Sequence, residues 1–119
     1  MKYMIMMFGG VGAVMETKTP EWIKNMQEFM GSLDRELKES GEVVASHGLV
    51  DPSQARTVRY TNGVPTPTDG PFAELKESLA GFWVLDVTQE RAIEIASRVV
   101  AVIEHPIEVR RVRDEPGEL

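Results

Sequence analysis

The chain is predicted to be an α+β protein on the split βαβ, ferredoxin-like plan, with a β-hairpin inserted between its two βαβ halves. Three observations carry that expectation. Apolar residues recur at helical spacing over residues 22–37 and again over 92–103. Short apolar or alternating runs flank each of these stretches, as strands do. Asn62-Gly63 then sits between two β-prone segments, which is the strongest short hairpin signal. The resulting order, β-α-β, hairpin, β-α-β, places both helices on one face of an antiparallel sheet.

Each element has its own justification. Residues 2–8 read as a strand with two apolar faces: Tyr3, Ile5 and Met7 on one, Met4, Met6 and Phe8 on the other. A strand greasy on both sides needs a layer above and a layer below. Residues 9–18 read as a loop. Thr19-Pro20-Glu21 is a helix start, with an N-cap, a proline in the first turn and an acid near the positive end. Trp22, Met26, Phe29, Leu33 and Leu37 form the stripe, widened by Ile23 and Met30. Gly31 interrupts it, which suggests close packing, and Gly41 ends the helix.

Val43, Ala45, His47 and Leu49 alternate as a second strand. Residues 56–60 and 64–68 form the hairpin arms, and Pro65 and Pro67 restrict the second arm to an edge or irregular ribbon. Residues 82–87 read as a buried strand. Thr88 caps a second helix whose Ala92, Ala96, Val99 and Ile103 share a face with Ile93 and Val100. Pro106 stops it, residues 107–112 read as the last strand, and residues 114–119 as a frayed tail.

At 119 residues the chain fits one domain, taken as residues 1–119, with no internal repeat. A formal charge of −6 argues against a sequence-independent grip on nucleic acid. The chain has no cysteine, which excludes a disulfide framework, a thiolate metal site and a cysteine nucleophile. The apolar opening run is read as a strand rather than a signal peptide, because Gly9-Gly10 break it early. No stretch is long enough to span a bilayer, so the expectation is a cytoplasmic protein without a membrane partner.

The segment from Thr68 to Trp83 is the most informative. Asp69-Gly70-Pro71 is turn chemistry, because Gly70 admits backbone angles closed to other residues and Pro71 fixes its own φ. Phe72 anchors the turn, with Glu74, Lys76 and Glu77 close by. This arrangement resembles the signature of the DGPF branch of the YCII-related family, small dimeric α+β barrel proteins. The match runs through Asp69, Gly70, Pro71, Phe72, Glu74, Lys76, Glu77, Gly81 and Phe82. The resemblance implies a homodimer closing a barrel sheet to sheet, in keeping with the two-sided apolarity of the first strand. It also implies kinship with lyases, isomerases and monooxygenases that act on small, often aromatic compounds. YCII-type proteins are thought to pair a histidine near the start of the first helix with an aspartate as an acid–base dyad. Here that helix opens Pro20, Glu21, Trp22, Ile23, Lys24, Asn25, and the histidine has no counterpart.

Asp69 has two readings. It is a base or ligand anchor held rigidly by its turn, or it bonds the amides of that turn, the commoner job of Asp before Gly. His47, alternating with apolar residues, is expected to point into packed space and is the candidate partner of Asp69. Lys76 and the neighbouring acids either bind a polar ligand or form solvated ion pairs. His105, at a helix end before Pro106, is read as complementing the negative helix terminus. The two histidines lack metal-ligand spacing, so neither metal nor cofactor is expected. Gly9-Gly10-Val11-Gly12 follows a strand but opens no helix, which excludes a dinucleotide loop.

Two functions are carried forward. The first is a small-molecule binder or lyase- or isomerase-like enzyme for an aromatic or acidic metabolite. Its pocket would be walled by Trp22, Met26, Phe72, Phe82 and Trp83, with Lys76 beside it and Asp69 and His47 as its catalytic pair. The second is a non-catalytic regulatory module, because proteins of the resembled branch often occur beside extracytoplasmic-function sigma factors. A closed apolar cavity with Asp69 turned inward would favour the first. A filled interior with Asp69 satisfied by its own turn would favour the second.

Overall fold

A computed structural model describes residues 1–9, 16–72 and 77–119. Its elements are β1 (Lys2–Phe8), α1 (Pro20–Glu39), β2 (Val43–Gly48), a 3₁₀ turn (Pro52–Gln54), β3 (Arg56–Thr61), β4 (Val64–Asp69), β5 (Leu79–Asp86), α2 (Gln89–Ile103) and β6 (Ile107–Arg111). The main sheet has the order β2-β5-β1-β6, and every neighbouring pair is antiparallel. Numbered within this sheet alone, that is the 4-1-3-2 order of a split βαβ pair, compatible with the ferredoxin-like expectation. Strands β3 and β4 form a separate two-stranded ribbon.

Local chemistry fixes the helix ends. Thr19 Oγ1 accepts from the Trp22 amide at 3.1 Å, with Pro20 in the first turn. At the other end Gly41 takes φ +76°. Its amide bonds Lys38 O, and the Glu42 amide bonds Leu37 O, a Schellman ending. Helix α2 starts in the same way, with Thr88 accepting from the Arg91 amide. The ribbon turns at Asn62 and Gly63, both with positive φ as a type I′ turn requires.

The core lies between the sheet and both helices. Ile5, Leu33, Leu37, Trp83, Leu85, Ile95, Ala96 and Val99 pack there, with Tyr3 and Ala92 also buried. On the opposite face of the sheet Met4, Met6, Phe82 and Val84 are only half-buried, whereas a register shift after Met7 turns Phe8 toward the helix side.

Four expectations are corrected. A bulge in β2 between Val43 and Ala45 exposes Val44 and inverts the faces that follow. Val43 aligns with Leu85, whereas Ala45 aligns with Val84 and His47 with Phe82. A one-residue slip sends every later side chain to the other face, so His47 is exposed on the outer side instead of packed. In α2 the core stripe is Ala92, Ile95, Ala96 and Val99, while Ile93 and Val100 are exposed. Gly31 has open space where a Cβ would stand, so close packing does not explain it. Pro65 and Pro67 do lie on an edge, as expected: their strand pairs regularly with β3 over six residues in a ribbon whose two strands are both edges. The tail is pinned: Arg111 grips Glu118 through both guanidinium nitrogens, and Glu118 Oε1 accepts the Asp114 amide.

Candidate functional site

Trp22, Met26 and Met30 follow one another at i, i+4 and i+8 on α1 and wall a cleft of about 600 Å³. Met7 and Phe8 at the end of β1 and Ala80 of β5 supply the sheet side. Ile103, Glu104 and His105 close it from the end of α2, with Glu77 beside them and Lys18 on the α1 side. Its size lies within the usual range of small-molecule sites.

Two polar side chains of the cleft are bonded to each other. His105 Nε2 lies 2.8 Å from Glu77 Oε2, and the two side chains are 44% and 47% exposed. Topology brings them together. Strands β5 and β6 flank β1 and both run antiparallel to it, with Leu79 opposite Phe8 and Ile107 opposite Met7. Glu77 stands two residues before β5 and His105 two before β6, so the residues leading into both strands meet at the end of β1. A smaller recess of about 320 Å³, lined by Phe8, Glu77, His105 and Pro106, shares the pair.

The backbone at His105 is tightly constrained. Glu104 holds a left-handed conformation at φ 56°, ψ 35°, and its amide bonds Val100 O at 2.8 Å. A non-glycine residue in that region is strained, and such residues gather at functional sites. Pro106 follows, fixing the chain on the other side of His105. The expectation that His105 only complements the helix terminus is therefore too narrow, because its ring is held by Glu77.

Of the residues expected in the site, Trp22 and Met26 line the cleft. Trp83 is not a wall: it is 3% exposed in the core, and its Nε1 donates to Asp34 at 2.7 Å. Phe82 points to the outer face of the sheet, where its ring meets His47 at 5.7 Å between centroids. Phe72 is exposed beneath the Arg59 guanidinium, 5.7 Å from the ring centroid. Lys76 lies outside the described residues, as does Glu74. The Asp69 side chain is 98% exposed and faces Arg56 Nε at 3.5 Å at the base of the ribbon. It belongs to a different sheet from His47, and the contacts of the two residues lie elsewhere. The exposure of Asp69 sets aside the inward orientation, and among the described residues its side chain contacts Arg56.

A neutral imidazole bonded to a carboxylate can take a proton at one nitrogen while the carboxylate stabilises the cation formed. The Glu77–His105 arrangement has that capacity. Among the described residues no group of three or more His, Asp or Glu side chains is placed to hold a metal ion. No helix among them is long and apolar enough to cross a membrane.

The fold and cleft define a class: a small α+β chain with two helices on one antiparallel sheet and a Glu–His pair at the end of a central strand. The family model of the YCII-related domain matches residues 1–115, and the chain belongs to that family. It is also similar to an uncharacterized protein of Rhizobium meliloti (strain 1021), 33% identical over 86 residues, which is 68% of this chain and 69% of the relative.

Proposed function

We propose that the protein binds a small aromatic or acidic metabolite in the cleft between α1, β1 and the end of α2, and that Glu77 and His105 move a proton on it. The observation that carries this reading is the half-exposed Glu77–His105 pair at a cleft walled mainly by apolar side chains. A carboxylate and an imidazole beside a thioether- and indole-lined wall suit an isomerase- or lyase-type proton transfer, with the body of the ligand held by dispersion and stacking. In this reading the pair supplies the proton-transfer role of the missing helix histidine, from different elements. Asp69 and His47 have no part in it.

Screening small aromatic acids, phenols and lactones by thermal shift, with Trp22 fluorescence as a second readout, tests the reading. Saturable quenching is expected in the wild type and should vanish in Trp22→Phe, which retains Trp83. With a turned-over ligand in hand, His105→Gln is expected to keep affinity and lose about 10²-fold or more in kcat. Unaltered turnover in that variant would remove the pair from the chemistry.

The same reading includes a homodimer formed through the outer face of the main sheet. Its support is that Met4, Met6, Phe82 and Val84 form an apolar surface with no covering layer among the described residues of one chain.

A further inference from the structure

The cleft has opposite electrical character on its two sides. On the α1 side Lys18 Nζ stands over the Trp22 ring, 4.9 Å from its centroid, and among the described residues no carboxylate pairs with it. On the other side stand Glu77, Glu104 and His105. We propose that the ligand is an aromatic monocarboxylic acid bearing a ring hydroxyl, its carboxylate on Lys18 and its hydroxyl on the Glu77–His105 pair. This rests on the reading of the cleft as a ligand site and adds the class and orientation of what enters it.

Lys18 leaves a positive charge to be balanced in the cleft. A wholly apolar ligand that dried the cleft would desolvate the Lys18 ammonium and give it no counter-charge, which is unfavourable. A carboxylate supplies that charge as a charge-assisted hydrogen bond. The cation–π contact with Trp22 holds the ammonium close to the wall on which an aromatic ring would lie. Met7, Met26 and Met30 give that ring adaptable thioether contacts. At the far side a second anion would meet Glu77 and Glu104, so a dicarboxylate is disfavoured. A phenolic hydroxyl is instead a donor to a carboxylate or imidazole acceptor. The hydroxyl proton is then the one that the Glu77–His105 pair is placed to take.

Three probes separate the possibilities: 4-hydroxybenzoate, 4-hydroxybenzyl alcohol as its neutral analogue, and terephthalate as a dianion. Calorimetry on the full chain is expected to give 4-hydroxybenzoate an affinity about tenfold above either of the others. Lys18→Gln should erase the preference for acid over alcohol while leaving the alcohol's affinity within about twofold. Equal binding of acid and alcohol by the wild type, or a preference that survives Lys18→Gln, overturns the assignment of Lys18 and leaves the cleft standing. Terephthalate binding as tightly as 4-hydroxybenzoate overturns the placement of the hydroxyl end. If neither acid nor alcohol binds, the cleft reading fails and this inference fails with it.

Discussion

Asp34 shows how one polar atom can organise a core. It sits on α1, partly covered, and its Oδ1 accepts both Trp83 Nε1 at 2.7 Å and Ser46 Oγ at 3.2 Å. Helix α1, β5 and β2 are thereby tied at one point. Among the described residues the indole N–H has no other acceptor, and the ring around it is buried. Removing the acceptor leaves a buried donor unsatisfied, which costs more than an average hydrogen bond contributes. Asp34→Ala is therefore expected to lower unfolding free energy by about 1–3 kcal/mol, and Asp34→Asn, which keeps a carbonyl acceptor, by clearly less. Urea denaturation of the three proteins measures the difference, and equal midpoints for Ala and wild type would mean that the indole finds another partner. This anchor was not legible in the sequence, where Asp34 is one of 19 acids and lies beside a stripe defined only by apolar residues. Trp83 was misread for the matching reason. Its neighbour Phe82 points the opposite way, and an apolar run alone does not say which member of the pair faces the helices.

Element identity was legible because capping and turn chemistry are local. Thr19-Pro20, Thr88, Gly41 and Asn62-Gly63 each act within four residues of the structure they dictate. The bulge in β2 has no such signature, and it alone moved His47 from the expected interior to the outer face. The Glu77–His105 pair was illegible because it depends on strand order: 28 residues separate its members, and only the flanking of β1 by β5 and β6 joins them. Between the elements, ion pairs do the joining. Arg91 of α2 reaches Glu42, just before β2, through Nε at 2.8 Å and Nη2 at 3.1 Å, and Arg98 bonds Glu36 of α1. Hydrogen bonds from Arg91 and then Ser40 hold the Glu42 carboxyl below its ordinary 4.5. A carboxyl whose pKa is depressed by folding contributes stability that is complete above the unfolded value and is lost as pH falls through the folded one. Glu42→Gln should accordingly cost about 1 kcal/mol at neutral pH, as expected for a partly exposed bidentate pair. That gap from wild type is expected to close as pH is lowered well below 4.5, which denaturant titrations at a series of pH values would show. A gap that stays constant with pH would mean that the loss comes from packing rather than charge.

The whole molecule is a slab of 48 × 43 × 21 Å, a thickness that accommodates one sheet and one layer of helices. The helices cover one face of the sheet, and the ribbon forms a sheet of its own. Side chains on the other face have no layer above them among the described residues. Burying four or five of them against a second copy would gain on the order of 6–15 kcal/mol gross. Association costs about 4–15 kcal/mol, so a dimer is favoured only if most of the patch is covered at once. Met6 lies opposite Phe82 in the register of β1 and β5, the two central strands, and so at the middle of the patch. A charge placed there would be buried without a partner in the dimer but solvated in the monomer. Met6→Glu is thus expected to convert a dimer seen by sedimentation equilibrium into a monomer with unchanged far-ultraviolet circular dichroism. The described lining of the cleft comes from a single chain, so the ligand response of Trp22 should survive in that monomer. If the wild type sediments as a folded single subunit even at about 100 μM, where a micromolar dimer would be nearly complete, the sheet-to-sheet dimer is refuted while the cleft is untouched.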